Sequence, residues 1–540
     1  MDCLTSLLQP DTAPSGQAEP DAPVPPATFN FAADVLQRRV EDMAQAVAII
    51  GVGADGAEDR WSFERVAQAS GRLAAAMLEG GLVRGDRVLV FMPRIPLWQV
   101  AMTACLHIGV IPVPCVTQVS RQELAYRGRQ CGARGAISSR EFLERFEGIE
   151  SSLVFRAARS GKVGWGGWDD LQGIIDSPRV APAFATVDAD APALIYFTSG
   201  SSGPPKAVVH AARGIFVRSW QPWRQLGVKQ GDVIWTTSDT GWTRAGSCLL
   251  FGPWFNRAAA LIVEGTLRAE ERPGMLEKYG VTIYGAVATE LRQVMASVAS
   301  PRLPRLRWTL SAGEAMTDDL ASRWQAFSEA PLVVGYGQTE TPTATLTDPR
   351  GPAVNGMIGR PMAGNHVTVV DEAGQEAPAG VEGDIVFDLA DPGLLLGYWV
   401  DGGIVAAPRR GPWHLTGDRG WRDERGELYF IGRSDDVISS SGYRIGPTEV
   451  ENALGAHPAV LECAVVGVPD ALRGEAVKAF VVLQPGQQGS EALSQILKDH
   501  VKQLVAPYKY PRSIDFVDSL PRTASGKISR RLLRERKPVP

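Results

Sequence analysis

Five short apolar runs between residues 193 and 340 each end in a turn of small, polar or acidic residues. They are ALIYF (193–197), DVIWTT (232–237), TIYGAVATE (282–290), LRWTLSAGE (306–314) and LVVGYGQTE (332–340). Such runs are typical of buried strands, and we interpret the first as a strand of a parallel sheet. Because ligands of open α/β sheets bind outside the carboxyl ends of the strands, the pattern predicts an α/β fold with one large site built from several loops. Five unrelated turns are the alternative.

A β-α-β pattern precedes these runs, and a second unit follows them. RVLVFM (87–92), WQVAMTACLHIG (98–109) and VIPVPC (110–115) indicate a strand, a helix and a strand. The second unit has predicted helices and strands at 447–457, 461–468, 478–484, 491–505 and 513–517. We therefore predict a disordered leader over 1–28, a large domain of parallel or mixed sheets flanked by helices over 29–433, and a smaller mobile α+β domain over 434–540.

Charge and cysteine usage exclude several classes of function. The formal net charge of −5 offers no basic field for nucleic acid, so we expect no nucleic-acid partner. The six cysteines are scattered without a C-x-x-C pair, which argues against a disulfide framework or a zinc site. The longest apolar candidate, residues 101–116, contains two prolines and is too short to span a bilayer. The N-terminus has no basic signal region, so we expect a cytoplasmic location.

The first apolar run leads into TSGSSGPPK, residues 198–206, whose composition suits phosphate binding. Gly200 and Gly203 permit unusual backbone angles, and hydroxyls and backbone N–H groups could surround phosphate oxygens beside Lys206. An ordinary polar surface loop is the alternative. A Walker P-loop is disfavoured, because that motif requires a hydroxyl residue after its lysine, where Ala207 stands here.

Five segments, in order, resemble the signature motifs of the adenylate-forming superfamily, which includes acyl-CoA synthetases, luciferases and peptide-synthetase adenylation domains. They are TSGSSGPPK (198–206), VGYGQTE (334–340), LTGD (415–418), GRSDDVISSSGYRIGPTEVE (432–451) and PRTASGKISR (521–530). SDTGW (238–242), SAGE (311–314) and APYKYPR (506–512) are similar to the medium-chain and aromatic acyl-CoA synthetases of the AMP-forming type. The resemblance covers about residues 29–535 and implies a large adenylate-forming domain with a mobile C-terminal lid.

The resemblance implies ATP, Mg²⁺ and CoA as ligands and assigns residues to them. Lys527 would stabilise the charge that develops on the α-phosphate, and Glu340 would hold Mg²⁺, which prefers carboxylate and phosphate oxygens. Thr198 is the third expected catalytic residue, and Asp435 would occupy the hinge between the domains. The expected ATP site comprises Thr198, Ser199, Gly200, Ser201, Ser202, Gly203, Lys206, Gly313, Glu314, Gly335, Tyr336, Gly337, Gln338, Thr339, Asp418, Arg433 and Lys527. Taken singly, Lys527 could instead be one more solvated charge of a basic tail, and Asp418 a turn residue.

The resemblance also implies that the small domain rotates about the hinge and presents a second site to CoA. Gly442 has no side chain, so a pantetheine arm could pass close to its backbone. The expected CoA site comprises Ser441, Gly442, Tyr443, Arg444, Arg473, Lys502, Tyr510, Pro511 and Arg512. The expected acyl pocket comprises Gln118, Trp235, Trp242, Gly285 and Thr339. The fourteen tryptophans do not indicate an aromatic substrate, because tryptophan is more often part of the core.

We therefore predict an ATP-dependent carboxylate–CoA ligase that acts through acyl-AMP on a medium-chain fatty acid or an aromatic acid. The expected partners are a small-molecule acid and CoA, and a homodimer is the assembly considered. An adenylating enzyme that loads a carrier protein and a non-catalytic acyl- or nucleotide-binding relative are the alternatives. In the phosphate segment Ser201 stands where threonine is usual, and Pro204 is an extra proline that we expect to stiffen the segment without abolishing activity.

Overall fold

The computed structural model describes residues 23–149, 152–159, 166–198, 204–299, 301–314, 316–348, 351, 354–434, 436–440, 443–470, 472–522 and 528–536, without the side chains of Arg444 and Pro507. Several predicted site residues lie outside these ranges: Ser199, Gly200, Ser201, Ser202, Gly203, Asp435, Ser441, Gly442 and Lys527. Most of the predicted leader, residues 1–22, also lies outside them.

The described strands are numbered in chain order. They are β1 (Val47–Val52), β2 (Glu58–Ser62), β3 (Arg87–Phe91), β4 (Ile111–Pro114), β5 (Ala133–Ser139), β6 (Phe155–Arg159), β7 (Asp169–Asp170), β8 (Pro192–Thr198), β9 (Lys206–Ala211), β10 (Val233–Thr236), β11 (Ala259–Val263), β12 (Ile283–Gly285), β13 (Trp308–Ala312), β14 (Leu332–Tyr336), β15 (Thr345–Leu346), β16 (Met357–Pro361), β17 (Val367–Val370), β18 (Gly383–Asp388), β19 (Gly397–Val400), β20 (Gly403–Val405), β21 (Arg409–Arg410), β22 (Trp413–Arg422), β23 (Leu428–Arg433), β24 (Ile438–Ser440), β25 (Tyr443–Ile445), β26 (Val460–Asp470), β27 (Gly474–Leu483) and β28 (Ser513–Phe516).

The α-helices are numbered in the same way. They are α1 (Arg38–Met43), α2 (Phe63–Glu79), α3 (Pro96–His107), α4 (Arg121–Cys131), α5 (Leu171–Ile175), α6 (Ala212–Trp220), α7 (Thr243–Gly246), α8 (Gly252–Phe255), α9 (Arg272–Lys278), α10 (Ala288–Ser297), α11 (Asp318–Ser328), α12 (Pro447–Gly455), α13 (Glu491–Leu504) and α14 (Arg530–Arg534). Short π-helices (Ala32–Gln37 and Ser247–Phe251) and 3₁₀-helices (Arg140–Phe146, Ala269–Glu271 and Pro507–Lys509) complete the described helical segments.

Side-chain caps define where several of these helices begin. The hydroxyl of Ser62 accepts a hydrogen bond from the Arg65 N–H at 3.2 Å, and that of Ser490 accepts from the Leu493 N–H at 3.1 Å. Such caps satisfy backbone donors that have no partner inside the helix. No helix in the described ranges is long and apolar enough to cross a membrane.

The largest sheet places the candidate site. Its strands β14, β13, β12, β10, β11 and β1 are adjacent in that order and parallel, and antiparallel strands extend the sheet at both ends. Four of the five apolar runs therefore form neighbouring parallel strands, as predicted, and their polar exits lie at one edge of the sheet. A separate parallel sheet, in the order β4-β3-β5-β6-β7, contains the predicted early β-α-β unit.

The first of the five runs, ALIYF, does not form the parallel strand that the sequence predicts. Residues 193–197 lie in β8, which pairs antiparallel with β9 in a four-stranded sheet of the order β20-β19-β9-β8 and not with the parallel strands. Only residues 199–205 connect β8 to β9, whereas a parallel connection needs about a dozen residues or more. The candidate phosphate segment therefore joins two strands of a hairpin, with Thr198 opposite Lys206.

The C-terminal part forms its own sheet, in the order β25-β24-β27-β26, with β28 parallel to β27. Helices α12 and α13 pack on this sheet through a separate apolar cluster that includes Val450, Leu454, Leu497 and Val501. The α/β fold class with a smaller C-terminal α+β unit is thus confirmed.

Candidate active site

A single large cleft lies at the exits of β10, β12, β13 and β14, and the C-terminal unit forms its other wall. Its volume is about 2850 Å³, several times that of a pocket for one drug-sized ligand. Arg522, Ile528 and Arg530 line the cleft from the C-terminal side. Arg522 and Ile528 also pair as an antiparallel bridge, so the two ends of the segment that carries Lys527 meet at the cleft wall.

Tyr398 contacts both Lys206, a predicted phosphate-binding residue, and Glu340, the predicted metal ligand. Thr198 and Lys206 line the cleft, and Lys206 Nζ lies 5.1 Å from the centroid of the Tyr398 ring. The Tyr398 hydroxyl donates to Glu340 Oε1 at 3.1 Å. Burial and the adjacent Glu340 charge raise the pKa of Tyr398, which therefore remains a hydrogen-bond donor at neutral pH. Strand β19 brings Tyr398 to this position by pairing with β9.

Glu340 offers only part of a metal site. Its Oε2 atom accepts no hydrogen bond from the described residues, so this oxygen is free to face a cation. In the described ranges no group of three or more His, Cys, Asp or Glu side chains could hold a metal ion. A hard cation at Glu340 would therefore need further oxygen ligands from a substrate, which fits a metal that accompanies a polyphosphate.

The turn that carries Thr339 and Glu340 rests on a buried arginine that the sequence analysis missed. Arg218 Nη2 donates to the carbonyl oxygens of Thr339 at 3.2 Å and Thr341 at 2.9 Å, and Nη1 donates to the Gly393 carbonyl at 3.1 Å. Burial lowers the pKa of Arg218 to about 10, so the side chain is still charged at neutral pH. The sequence signal was weak: Arg218 is one of two arginines in the largely apolar helix α6, and nothing in the local sequence distinguishes it from Arg213.

The Asp418 carboxylate accepts hydrogen bonds from the side chains of three other residues of the predicted ATP site. Its Oδ2 accepts from the Tyr336 hydroxyl at 2.7 Å and from Gln338 Nε2 at 2.6 Å, and its Oδ1 accepts from Arg433 Nη1 at 2.9 Å. Register between β22 and β23 places Asp418 directly opposite Arg433. A carboxylate oxygen can accept two hydrogen bonds, so Oδ1 retains room for one more donor from the cleft. Burial and the Asp418 charge raise the pKa of Tyr336 well above its usual value.

Backbone geometry explains the glycines of the predicted ATP site. A Cβ on Gly337 would lie 2.2 Å from the Pro342 carbonyl oxygen, so no other residue fits there. Gly313 has a φ of +87°, which favours glycine, and it lines the cleft beside Gly335. Glu314 also lines the cleft, and its Oε2 accepts the Thr289 N–H at 2.9 Å at the start of α10.

Four of the five expected acyl-pocket residues line the cleft: Gln118, Trp242, Gly285 and Thr339. The placement of Trp235 is corrected, because its side chain is 1% exposed and stacks on Tyr284 with a 5.2 Å centroid distance. Side chains alternate along a strand, so the next residue, Thr236, faces the cleft instead. A Cβ on Gly285 would lie 3.4 Å from Cys248 Sγ, which identifies Cys248 as a wall residue that the sequence did not suggest.

The expected CoA residues that the structure describes lie together on the small unit and are not part of the cleft lining, whereas Ser441 and Gly442 lie outside the described ranges. Lys502 Nζ lies 4.4 Å, and the Arg512 guanidinium carbon 3.9 Å, from the centroid of the Tyr510 ring. Arg473 pairs with Asp470 at 3.8 Å, and backbone N–H groups, with the charges of Arg473 and Arg512, hold the pKa of Asp470 below its usual value. Tyr443 stacks on Tyr508 at 4.1 Å. Pro511 is buried beside these residues, and the backbone of Arg444 lies in β25.

The chain matches two family models, "AMP-binding enzyme" over residues 36–399 and "AMP-binding enzyme C-terminal domain" over residues 449–527. It is 35% identical over 541 residues to acyl-coenzyme A synthetase ACSM3, mitochondrial, of Mus musculus, covering 95% of this chain and 91% of that protein. It is 37% identical over 532 residues to acyl-coenzyme A synthetase ACSM5, mitochondrial, of Homo sapiens, covering 94% and 90%.

Two solved structures share the whole fold. The anthranilate CoA ligase AuaEII, in complex with anthranoyl-AMP, has a TM-score of 0.85 and 28% identity over 94% of this chain and 97% of that one. A benzoate CoA ligase from Burkholderia xenovorans LB400 has a TM-score of 0.82 and 28% identity over 94% and 100%. The chain therefore belongs to the adenylate-forming family of AMP-binding enzymes, in the branch that contains the acyl-CoA synthetases.

Proposed function

We propose that this protein is an ATP-dependent carboxylate–CoA ligase. It joins a carboxylic acid to AMP with release of pyrophosphate, and then transfers the acyl group to CoA with release of AMP. The observation that carries the proposal is the shared cleft: the Asp418 cluster, Glu340 and the two ends of the Lys527 segment all line it. A cleft lined by these groups can hold ATP and a carboxylic acid side by side.

In the first half-reaction, one carboxylate oxygen of the acid attacks the α-phosphate of ATP, and the bond to pyrophosphate breaks. Asp418 accepts hydrogen bonds from the ribose, and Arg433 and Gln338 keep its carboxylate in place. Thr198 and Lys206 bind the departing phosphates. Lys527 stabilises the negative charge that builds on the α-phosphate.

Mg²⁺ is part of the proposal because the oxygen of Glu340 that lacks a donor suits a hard cation. When bound, the metal would neutralise phosphate charge. Tyr398 orients Glu340 for this task by donating to its other oxygen, and Arg218 fixes the turn on which Glu340 stands.

In the second half-reaction, the CoA sulfur attacks the acyl carbonyl carbon and the bond to the AMP oxygen breaks. Arg473, Lys502 and Arg512 offer positive charge to the nucleotide part of CoA, and the ring of Tyr510 offers a face for its base. Because these residues lie away from the cleft in this structure, the small domain has to rotate between the two half-reactions. We propose that residues between Arg433 and Asp436 form the pivot.

The acid is a medium-chain fatty acid or an aromatic acid. The relatives named as acyl-CoA synthetases support a fatty acyl substrate, and the structures named as anthranilate and benzoate CoA ligases support an aromatic one. Gly285 and Cys248 both line the cleft and offer an apolar surface to the acyl group.

Pyrophosphate release against a panel of acids, with and without CoA, tests the proposal. The panel contains short, medium and branched fatty acids, benzoates and arylpropionates. We expect CoA-stimulated release with one class, which names the substrate. Release that CoA does not accelerate would move the acceptor to a carrier protein, and no release from folded protein that binds ATP would refute the ligase.

A further inference from the structure

The last residues of two sequence motifs form an ion pair in the structure. Glu451 ends the segment at 432–451, and Arg530 ends the segment at 521–530. Arg530 Nη2 donates to Glu451 Oε2 at 2.7 Å and to Oε1 at 2.9 Å, and Arg530 Nε donates to Oε1 at 3.2 Å. Both side chains are largely buried, at 22% and 14% exposure, which makes this pair much less screened than a surface pair.

The same arginine also reaches the linker between the two domains. Arg530 Nη1 donates to Asp436 Oδ2 at 3.4 Å, and Arg534 Nη2 donates to Asp436 Oδ1 at 2.5 Å. Burial lowers the pKa of Arg530, but the charges of Glu451 and Asp436 outweigh it and raise the pKa overall. We call these four residues, Asp436, Glu451, Arg530 and Arg534, the lid clamp.

The lid clamp lies next to a second set of contacts on the other side of the linker. Arg433 is held by Asp418 at 2.9 Å, and the Ser434 N–H donates to the Gly417 carbonyl at 2.8 Å. Arg433 is thus held by the large domain and Asp436 by the small domain, three residues further along the chain. The pivot proposed above lies between these two residues.

Within the small domain the lid clamp joins three elements. Glu451 lies on α12 and also accepts the Val465 N–H of β26 at 2.8 Å, and Arg530 begins α14, three residues after Lys527. The clamp therefore fastens the C-terminal end of the lysine segment both to the body of the small domain and to its side of the linker.

We propose that Arg530, together with Glu451 and Asp436, is a positioning residue for Lys527, which couples the orientation of the lysine segment to the hinge. The inference rests on the proposed function, because it needs Lys527 to act in the first half-reaction. A misplacement of about 1 Å can cost on the order of 10²-fold in rate, so loss of the clamp would slow adenylation strongly. The second half-reaction does not use Lys527 and would be largely spared.

The test measures the two half-reactions separately in the full-length protein. Adenylation is followed as pyrophosphate release at saturating ATP and acid. Thioester formation is followed by supplying preformed acyl-AMP and CoA. The variants are Arg530→Gln, Glu451→Gln, Asp436→Asn and Arg530→Lys, which keeps the charge but loses the planar fork.

Arg531→Gln is the matched control, because it removes the same charge from the same helix, and the Arg531 side chain, which is 61% exposed, pairs with Glu535 among the described residues. We expect Arg530→Gln to slow adenylation about tenfold or more, with thioester formation within about twofold of wild type. Arg530→Lys should recover part of the adenylation rate, and Asp436→Asn should show the same selective loss in milder form.

Proportional loss of both half-reactions in Arg530→Gln would overturn the proposal, since a merely structural role slows both. Adenylation by Arg530→Gln at the rate of Arg531→Gln would also overturn it. These results differ from failure of the proposed function itself, in which wild type releases no pyrophosphate with any acid.

Discussion

Replacing Asp418 with asparagine tests the nucleotide site most simply. The carboxylate accepts two donors on Oδ2 and one on Oδ1. An asparagine has one acceptor oxygen, so if that oxygen keeps Tyr336 and Gln338, the amide N–H₂ must face Arg433. A hydrogen bond to a charged group contributes about 1.5–3 kcal/mol. The lower end applies here, because the Arg433 side chain is 39% exposed and still donates to the Thr416 carbonyl at 2.9 Å.

We expect this loss to appear in ATP binding, since Arg433 is displaced and the ribose loses a charged acceptor. A loss of about 1.5 kcal/mol raises the Kd for ATP about tenfold. Calorimetric titration with ATP measures it. Asp423→Asn is the matched control, because Asp423 lies in the turn of the same hairpin, outside the cleft lining, and caps the backbone N–H groups of Arg425 and Glu427. If Asp418→Asn binds ATP within twofold of wild type, the assignment of Asp418 to the ribose is wrong.

Three further predictions follow from the site and the core. Lys527→Ala should reduce the rate of pyrophosphate release by about 10²–10³-fold, because that is the usual cost of losing one group that stabilises transition-state charge. Thioester formation from supplied acyl-AMP should change little. Equal loss of both rates would contradict the role of Lys527 in adenylation alone. Arg512→Ala should raise the KM for CoA and leave the KM for ATP unchanged, because Arg512 lies over Tyr510 outside the ATP cleft; a change in both constants would contradict a separate CoA site. Burial lowers the pKa of His414 to about 4 from 6.5, so the folded protein holds this histidine neutral while the unfolded chain protonates it below about pH 6.5. The free energy of unfolding is therefore unaffected by this histidine above pH 6.5 and falls as the pH drops from 6.5 toward 4. His414→Leu should show a shallower decline in the urea midpoint of unfolding over that interval. An unchanged decline would contradict a depressed pKa for His414.

Sequence patterns correctly predicted the helices and strands for which the capping residues and the spacing of apolar residues indicate the same structure. The strand at 87–92 became Arg87–Phe91, and the helix at 491–505 became Glu491–Leu504, because a capping serine and an apolar face at helical spacing both point to the same structure. The resemblance to the adenylate-forming superfamily assigned Tyr336, Gln338, Asp418 and Arg433 to one nucleotide site, and in the structure the other three residues donate to Asp418.

Sequence patterns failed where a side chain's surroundings come from distant parts of the chain. The run at 193–197 is as apolar as a parallel strand, yet its short connection to β9 forces an antiparallel hairpin. Side chains alternate between the two faces of β10, but the sequence does not show which face is buried. The stacking of Trp235 on Tyr284 shows that Trp235 lies on the buried face. Arg218 and the pairing of Glu451 with Arg530 depend on contacts across more than 70 residues of sequence, for which local periodicity carries no signal.

The central claim is that a mixed anhydride of the acid and AMP forms in the cleft before CoA attacks. An acid labelled with ¹⁸O in both carboxylate oxygens tests it most directly, using the acid that releases pyrophosphate fastest. The acid's oxygen bridges carbon and phosphorus in acyl-AMP, and it stays with phosphorus when CoA attacks the carbonyl carbon. Mass spectrometry should therefore find one ¹⁸O atom in each AMP, and unlabelled AMP formed together with acyl-CoA would contradict the acyl-adenylate account.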